Sequence, residues 1–100
     1  MTDRLDTMRA MAARQPNNAL VRFGLANELL KANLLEEAVT ELAAYLAAYD
    51  DEGNGWLRYC DTLVQLGRND EARAAAARGK DAAARYGHGT LMQEFEERGY

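Results

Sequence analysis

One hundred residues, 48% of them apolar and 28% charged, are enough for one domain with a modest core and argue against disorder. A formal net charge of −4 speaks against a general binder of nucleic acid or anionic membrane, since both need a basic surface. The single Cys60 excludes an internal disulfide, and no apolar run approaches the ~20 residues that cross a bilayer.

Ala, Leu, Glu and Arg dominate, proline occurs once, and no alternating β-branched run appears, so the expected class is all-α. Residues 2–15 read as a first helix, with Leu5, Met8, Met11 and Ala12 on one face and Thr2 or Asp3 as N-cap. Pro16 ends it, because the residue before a proline avoids helical geometry. Asp3 and Asp6 disfavour a transit peptide, and the expected compartment is the cytoplasm.

Asn17 or Asn18 then caps a pair of amphipathic helices. Apolar residues recur three and four apart at Val21, Leu25 and Leu29, then at Leu35, Val39, Leu42 and Leu46. Asn33 tolerates the left-handed conformation that ends a helix, and Glu36-Glu37 suit the positive start of the next. A break this short folds the pair into an antiparallel hairpin.

The stretch Asp50-Asp51-Glu52-Gly53-Asn54-Gly55 is a polar connector. Helix resumes near Trp56, with Trp56, Tyr59, Cys60 and Leu63 on one face, and Gly67 stops it. Asn69 or Asp70 is the expected cap of the next helix. Its apolar face is mostly alanine (Ala72, Ala75, Ala76, Ala83), which lets a neighbour approach closely. Gly79 in its middle costs about 1 kcal/mol against alanine, and reads as a close-contact site. Thr90 and Gln93 have capping-box spacing ahead of a short last helix that carries Leu91, Met92 and Phe95.

Moving along the chain by 34 residues carries Leu29 onto Leu63, Leu30 onto Val64, Asn33 onto Gly67, Glu37 onto Glu71 and Ala38 onto Ala72. A 34-residue period of helix-turn-helix units is characteristic of tetratricopeptide repeats. The second hairpin reads Trp56-x-x-Tyr59-Cys60-x-x-Leu63 and then Ala72-x-x-x-Ala76. The first reads Arg22-x-x-Leu25-Ala26-x-x-Leu29 and then Ala38-x-x-x-Leu42, after a Pro16-Asn17-Asn18-Ala19 junction. Over residues 16–86 the chain resembles that family. Four positions depart from its pattern: Arg22 replaces a tryptophan, Asp50 a junction proline, and Tyr45 and Gly79 a small alanine.

The resemblance implies one domain over residues 1–100, a right-handed α-α superhelix of stacked antiparallel hairpins. Repeat 1 would span 17–50 and repeat 2 would span 53–87, flanked by helices at 2–15 and 90–98, the latter a polar cap. It also implies a non-catalytic scaffold or adaptor that binds a peptide or partner protein in a groove lined by the first helix of each repeat.

On the first of these helices Val21, Leu25 and Leu29 suffice for the hairpin, which leaves a second apolar stripe. Groove walls are expected from Leu20, Phe23, Leu30, Leu57 and Val64. Asn27 and Asp61 would hydrogen-bond a peptide backbone, with Lys31 and Arg58 supplying charge. The alternative is a self-assembly module that closes a homodimer on the same stripe. The lysine/asparagine clamp with which some family members grip chaperone tails is not matched, because Phe23 stands in the lysine place and Arg58 in that of one asparagine.

Catalysis has little to work with. His88, the one histidine, lies in Gly87-His88-Gly89 and reads as a surface loop residue. Cys60 reads as a buried, inert thiol. One His and one Cys make no metal cluster, and neither metal nor cofactor is expected.

Overall fold

The computed structural model describes residues 3–100, and it is all-helical. Its six helices are α1 (Arg4–Arg14), α2 (Ala19–Lys31), α3 (Leu35–Ala48), α4 (Asn54–Gln65), α5 (Asn69–Arg85) and α6 (Gly89–Glu97). The chain forms two compact units, the first ending at Tyr49 and the second running Asp50–Tyr100.

In the first unit, α2 and α3 form the hairpin and α1 packs on α2. Leu25, Leu29 and Ala38 make a buried cluster, covered from α1 by Leu5, Met8 and Ala12. Arginines on α1 reach both helices of the hairpin: Arg4 Nε donates to Glu28 Oε1 at 2.6 Å, and Arg9 Nη1 to Glu37 Oε2 at 2.6 Å. Each guanidinium holds its carboxylate partner below the usual glutamate range. The N-cap of α1 is Asp3, whose side chain accepts from Asp6 N; Thr2 lies outside the described residues. Asn18 caps α2 by accepting from Leu20 N and Val21 N.

In the second unit, α4 and α5 pair and α6 packs on α5. The alanine face of α5 is buried at Ala72, Ala75, Ala76, Ala82 and Ala83. Helix α5 runs unbroken through buried Gly79, where the rings of Phe95 and Trp56 close in. On the outer side of that contact, the Arg78 guanidinium lies 4.7 Å from the Trp56 ring centre.

Helix ends follow one rule wherever a left-handed residue is present. Asn33 (φ 60°) and Gly67 (φ 75°) each follow a helix, and the next amide reaches five residues back. Leu34 N donates to Leu29 O at 2.9 Å, and Arg68 N to Leu63 O at 2.8 Å. This is the Schellman closure, which satisfies helix-end carbonyls while it reverses the chain. The two closures lie 34 residues apart, as the sequence period requires. Gly87 (φ 71°) ends α5 in the same way, with His88 N donating to Ala83 O at 2.8 Å.

Two expected caps are absent. Helix α5 begins one residue earlier than the pattern suggests: Arg68 is its N-cap, with no side-chain cap bond. The Schellman closure already fixes Arg68, which leaves Asn69 inside the first turn. The same crowding of two helix ends makes His88 the N-cap of α6 and places Thr90 within the helix, so no capping box forms. Gln93 instead donates to Glu97 Oε1 at 3.1 Å.

Candidate functional site

The outward faces of α2 and α4 carry the residues expected to bind a partner. On α2, Leu20 is 61% exposed and Lys31 is exposed. Phe23 is half-buried, its ring 4.6 Å centre to centre from that of buried Tyr45, which stacks in turn on Tyr49 at 5.4 Å. Asn27 is also half-buried and has partners of its own. Leu30 packs against the Leu25–Leu29–Ala38 cluster and thus serves the core of its unit. Lys31 Nζ donates to Glu28 Oε1 at 3.3 Å, sharing that carboxylate with Arg4.

On α4 the pattern is less open. Val64 is 43% exposed, but Leu57 is only 5% exposed and belongs to the core. Arg58 is exposed and already has partners. Asp61 Oδ1 accepts from Arg98 Nε at 2.8 Å and from Tyr100 Oη at 3.0 Å. Asp61, Val64, Gln65, Arg98 and Tyr100 together line a depression of about 380 Å³. The sequence gives no spacing signal for this meeting, because Asp61 and its donors are 37 and 39 residues apart.

The register that places Phe23 opposite Leu57 also places Tyr45 opposite Gly79. In the first unit the space beside α2 is filled by the Tyr45 ring, which belongs to α3 itself. In the second unit the equivalent space over α5 is filled by Phe95, fully buried and supplied by α6. Two departures from the family pattern thus have opposite packing solutions.

The chemistry-bearing side chains are placed as follows. Cys60 is fully buried and its Sγ donates to Ala72 O at 3.4 Å. Burial, with Asp61 adjacent, pushes the thiol up to about 12, so the nucleophilic thiolate does not form near neutral pH. His88 is tied to the connector: its Nε2 lies 2.8 Å from Glu52 Oε2. This pair lies in a depression of about 480 Å³ with Asn54, Thr90, Leu91 and Glu94. Beside it the Tyr86 hydroxyl donates to Asp50 Oδ2. Among the described residues no three His, Cys, Asp or Glu side chains are grouped to hold a metal, and no helix is long and apolar enough to cross a membrane.

Asp51 is the residue that sequence reasoning missed. Within a connector that reads as solvated, it is 7% exposed and accepts from Gly53 N at 2.7 Å and Gly55 N at 2.9 Å. An Asp two residues before a glycine is a turn signal, and it was available in the sequence.

No protein-family model, curated protein or solved structure matches this chain.

Proposed function

We propose that this chain is a tetratricopeptide-like interaction module, non-catalytic and cytoplasmic, that binds a peptide or partner protein along the faces of α2 and α4. The observation that carries this reading is the surplus apolar surface on helices whose core faces are already complete. Val21, Leu25, Ala26 and Leu29 bury one side of α2, yet Leu20 projects into solvent from the same helix. Val64 does so from α4, beside buried Leu63. Exposed aliphatic side chains beside a finished core have no folding role, and contact with a partner is the use they suit. The Schellman closures 34 residues apart support the repeat assignment.

The test is affinity capture with the full chain from cells of its source organism, comparing wild type with Leu20→Asp and Val64→Asp. Both positions are exposed, so each variant folds as wild type by circular dichroism. Partners lost from both variants support the reading. Retention of every partner by both variants ends it. Light scattering at micromolar concentration examines the homodimer alternative: a stable dimer that Leu20→Asp dissolves replaces the adaptor reading with self-assembly.

A further inference from the structure

The segment that follows α6 is held on the second unit in the manner of a bound peptide. Lys80 Nζ donates to the main-chain carbonyl of Tyr100. The Tyr100 hydroxyl donates to Asp61 at 3.0 Å, and its ring lies 6.3 Å, centre to centre, from that of Phe95. Arg98 is anchored at both ends of its guanidinium, Nε to Asp61 Oδ1 at 2.8 Å and Nη1 to Glu94 O at 3.0 Å. Backbone carbonyl, phenol, ring and guanidinium each have a receptor on α4, α5 or α6. The geometry raises the Tyr100 phenol pKa, through burial first and the Asp61 carboxylate second.

Asp61 is also the only acidic side chain of α4, and it stands one turn from exposed Val64. We propose that Arg98-Gly99-Tyr100 is an internal occupant of the α4 face, and that the partner which displaces it presents the same chemistry. That partner is a segment in which a guanidinium and a phenol converge on the Asp61 carboxylate. The strap is autoinhibitory: tethered beside its receptor, it competes at an effective concentration of order millimolar. A partner engages α4 only by exceeding that competition or after the strap is released. The proposal rests on the reading of α4 as a binding face and adds the partner's chemistry and a means of regulation.

The experiment uses the full chain, labelled with ¹⁵N, as wild type and as Arg98→Ala/Tyr100→Ala. The probe is an acetylated, amidated pentapeptide copying residues 96–100. Before any probe is added, heteronuclear relaxation should show residues 98–100 as ordered as α6 in wild type and freed in the double variant. Titration should then shift the Asp61, Val64 and Gln65 resonances of the double variant, with affinity at least tenfold tighter than for wild type. Adding Asp61→Asn to the double variant should abolish that binding.

Equal affinity for wild type and double variant, binding by neither, or shifts confined to other helices each overturn the proposal. The capture experiment at Leu20 does not depend on the strap. A partner lost from Leu20→Asp while the pentapeptide fails to compete removes autoinhibition and leaves the binding module standing. Competition by the strap with no partner at Leu20 or Val64 has the opposite meaning.

Discussion

Phe95 covers Gly79 so closely that position 79 has no room for a side chain. A Cβ built there collides with Phe95 Cζ and stands 2.7 Å from Trp56 Cβ. Three helices of the second unit therefore meet at one hydrogen atom, and the glycine that weakens α5 as a helix is what lets α6 pack.

This contact sets two effects against each other in Gly79→Ala. Alanine gains about 1 kcal/mol in helix propensity, while overpacking costs about 1–3 kcal/mol. Both neighbours belong to ring side chains in a packed site, so neither yields cheaply and overpacking should win. Urea unfolding should show the variant less stable than wild type. Phe95→Ala should lose about 3–5 kcal/mol, because a fully buried ring leaves a cavity. Combined, the two should lose less than the sum of their separate losses, since the smaller residue at 95 relieves the clash at 79.

Asn33 holds a left-handed backbone with φ 60°, and Gly67 holds its counterpart with φ 75°. Asn33→Gly should leave the stability unchanged or raise it slightly. Asn33→Ala and Gly67→Ala should each lose about 1–2 kcal/mol, the cost of placing a Cβ in that region. Nothing lies within 4 Å of a Cβ at Gly67, so its loss reports backbone strain alone. Thermal unfolding of the three variants separates these outcomes.

Asp51 satisfies two amides at the start of α4 from a buried position. Asp51→Ala should destabilise by about 1–2 kcal/mol, as loss of a helix-start cap does. Asp51→Asn keeps one acceptor oxygen and should recover most of that loss. Glu52→Ala, its exposed neighbour, should be near neutral, which makes it the internal control.

Cys60 offers a test that depends on pH. Its folded pKa, about 12, lies above the ordinary value of 9.0. The sign follows from proton binding: between these values the unfolded chain has lost the thiol proton and the folded chain keeps it. The contribution of Cys60 to stability is therefore complete below pH 9 and is lost as the pH rises towards the folded value. Aromatic disulfide reagents at pH 8 should label the thiol only at the rate of global opening. Cys60→Ala should flatten the alkaline loss of stability and keep the fold, because Ala26 occupies the same register in the first unit and is also fully buried.

Much of the fold is legible in the sequence because its signals are local. The apolar period locates all six helices, and Asn18, Asn33, Gly67 and Gly87 act within a few residues of where they stand. Where two local signals compete, the reading is off by a residue: the closure at Gly67 overrides the capping tendency of Asn69, and that at Gly87 overrides Thr90. The candidate site is less legible. Leu57 carries the same register as Phe23 yet is buried, because what covers a helix face depends on which residues the fold brings to it. The Asp61–Arg98 pair depends on α6 returning to α4, and no periodicity encodes that.

The reversal at Asn33 also affects the order of events while the protein is being made. The cluster of Leu25, Leu29 and Ala38, its cover from α1, and the ion pairs of Arg4, Arg9 and Arg22 all lie before Tyr49. Loops this short cost little entropy to close, and contacts near in sequence form fast. The first unit can therefore assemble on the ribosome before α5 has been synthesised, whereas Gly79 waits for Phe95 until the last helix emerges.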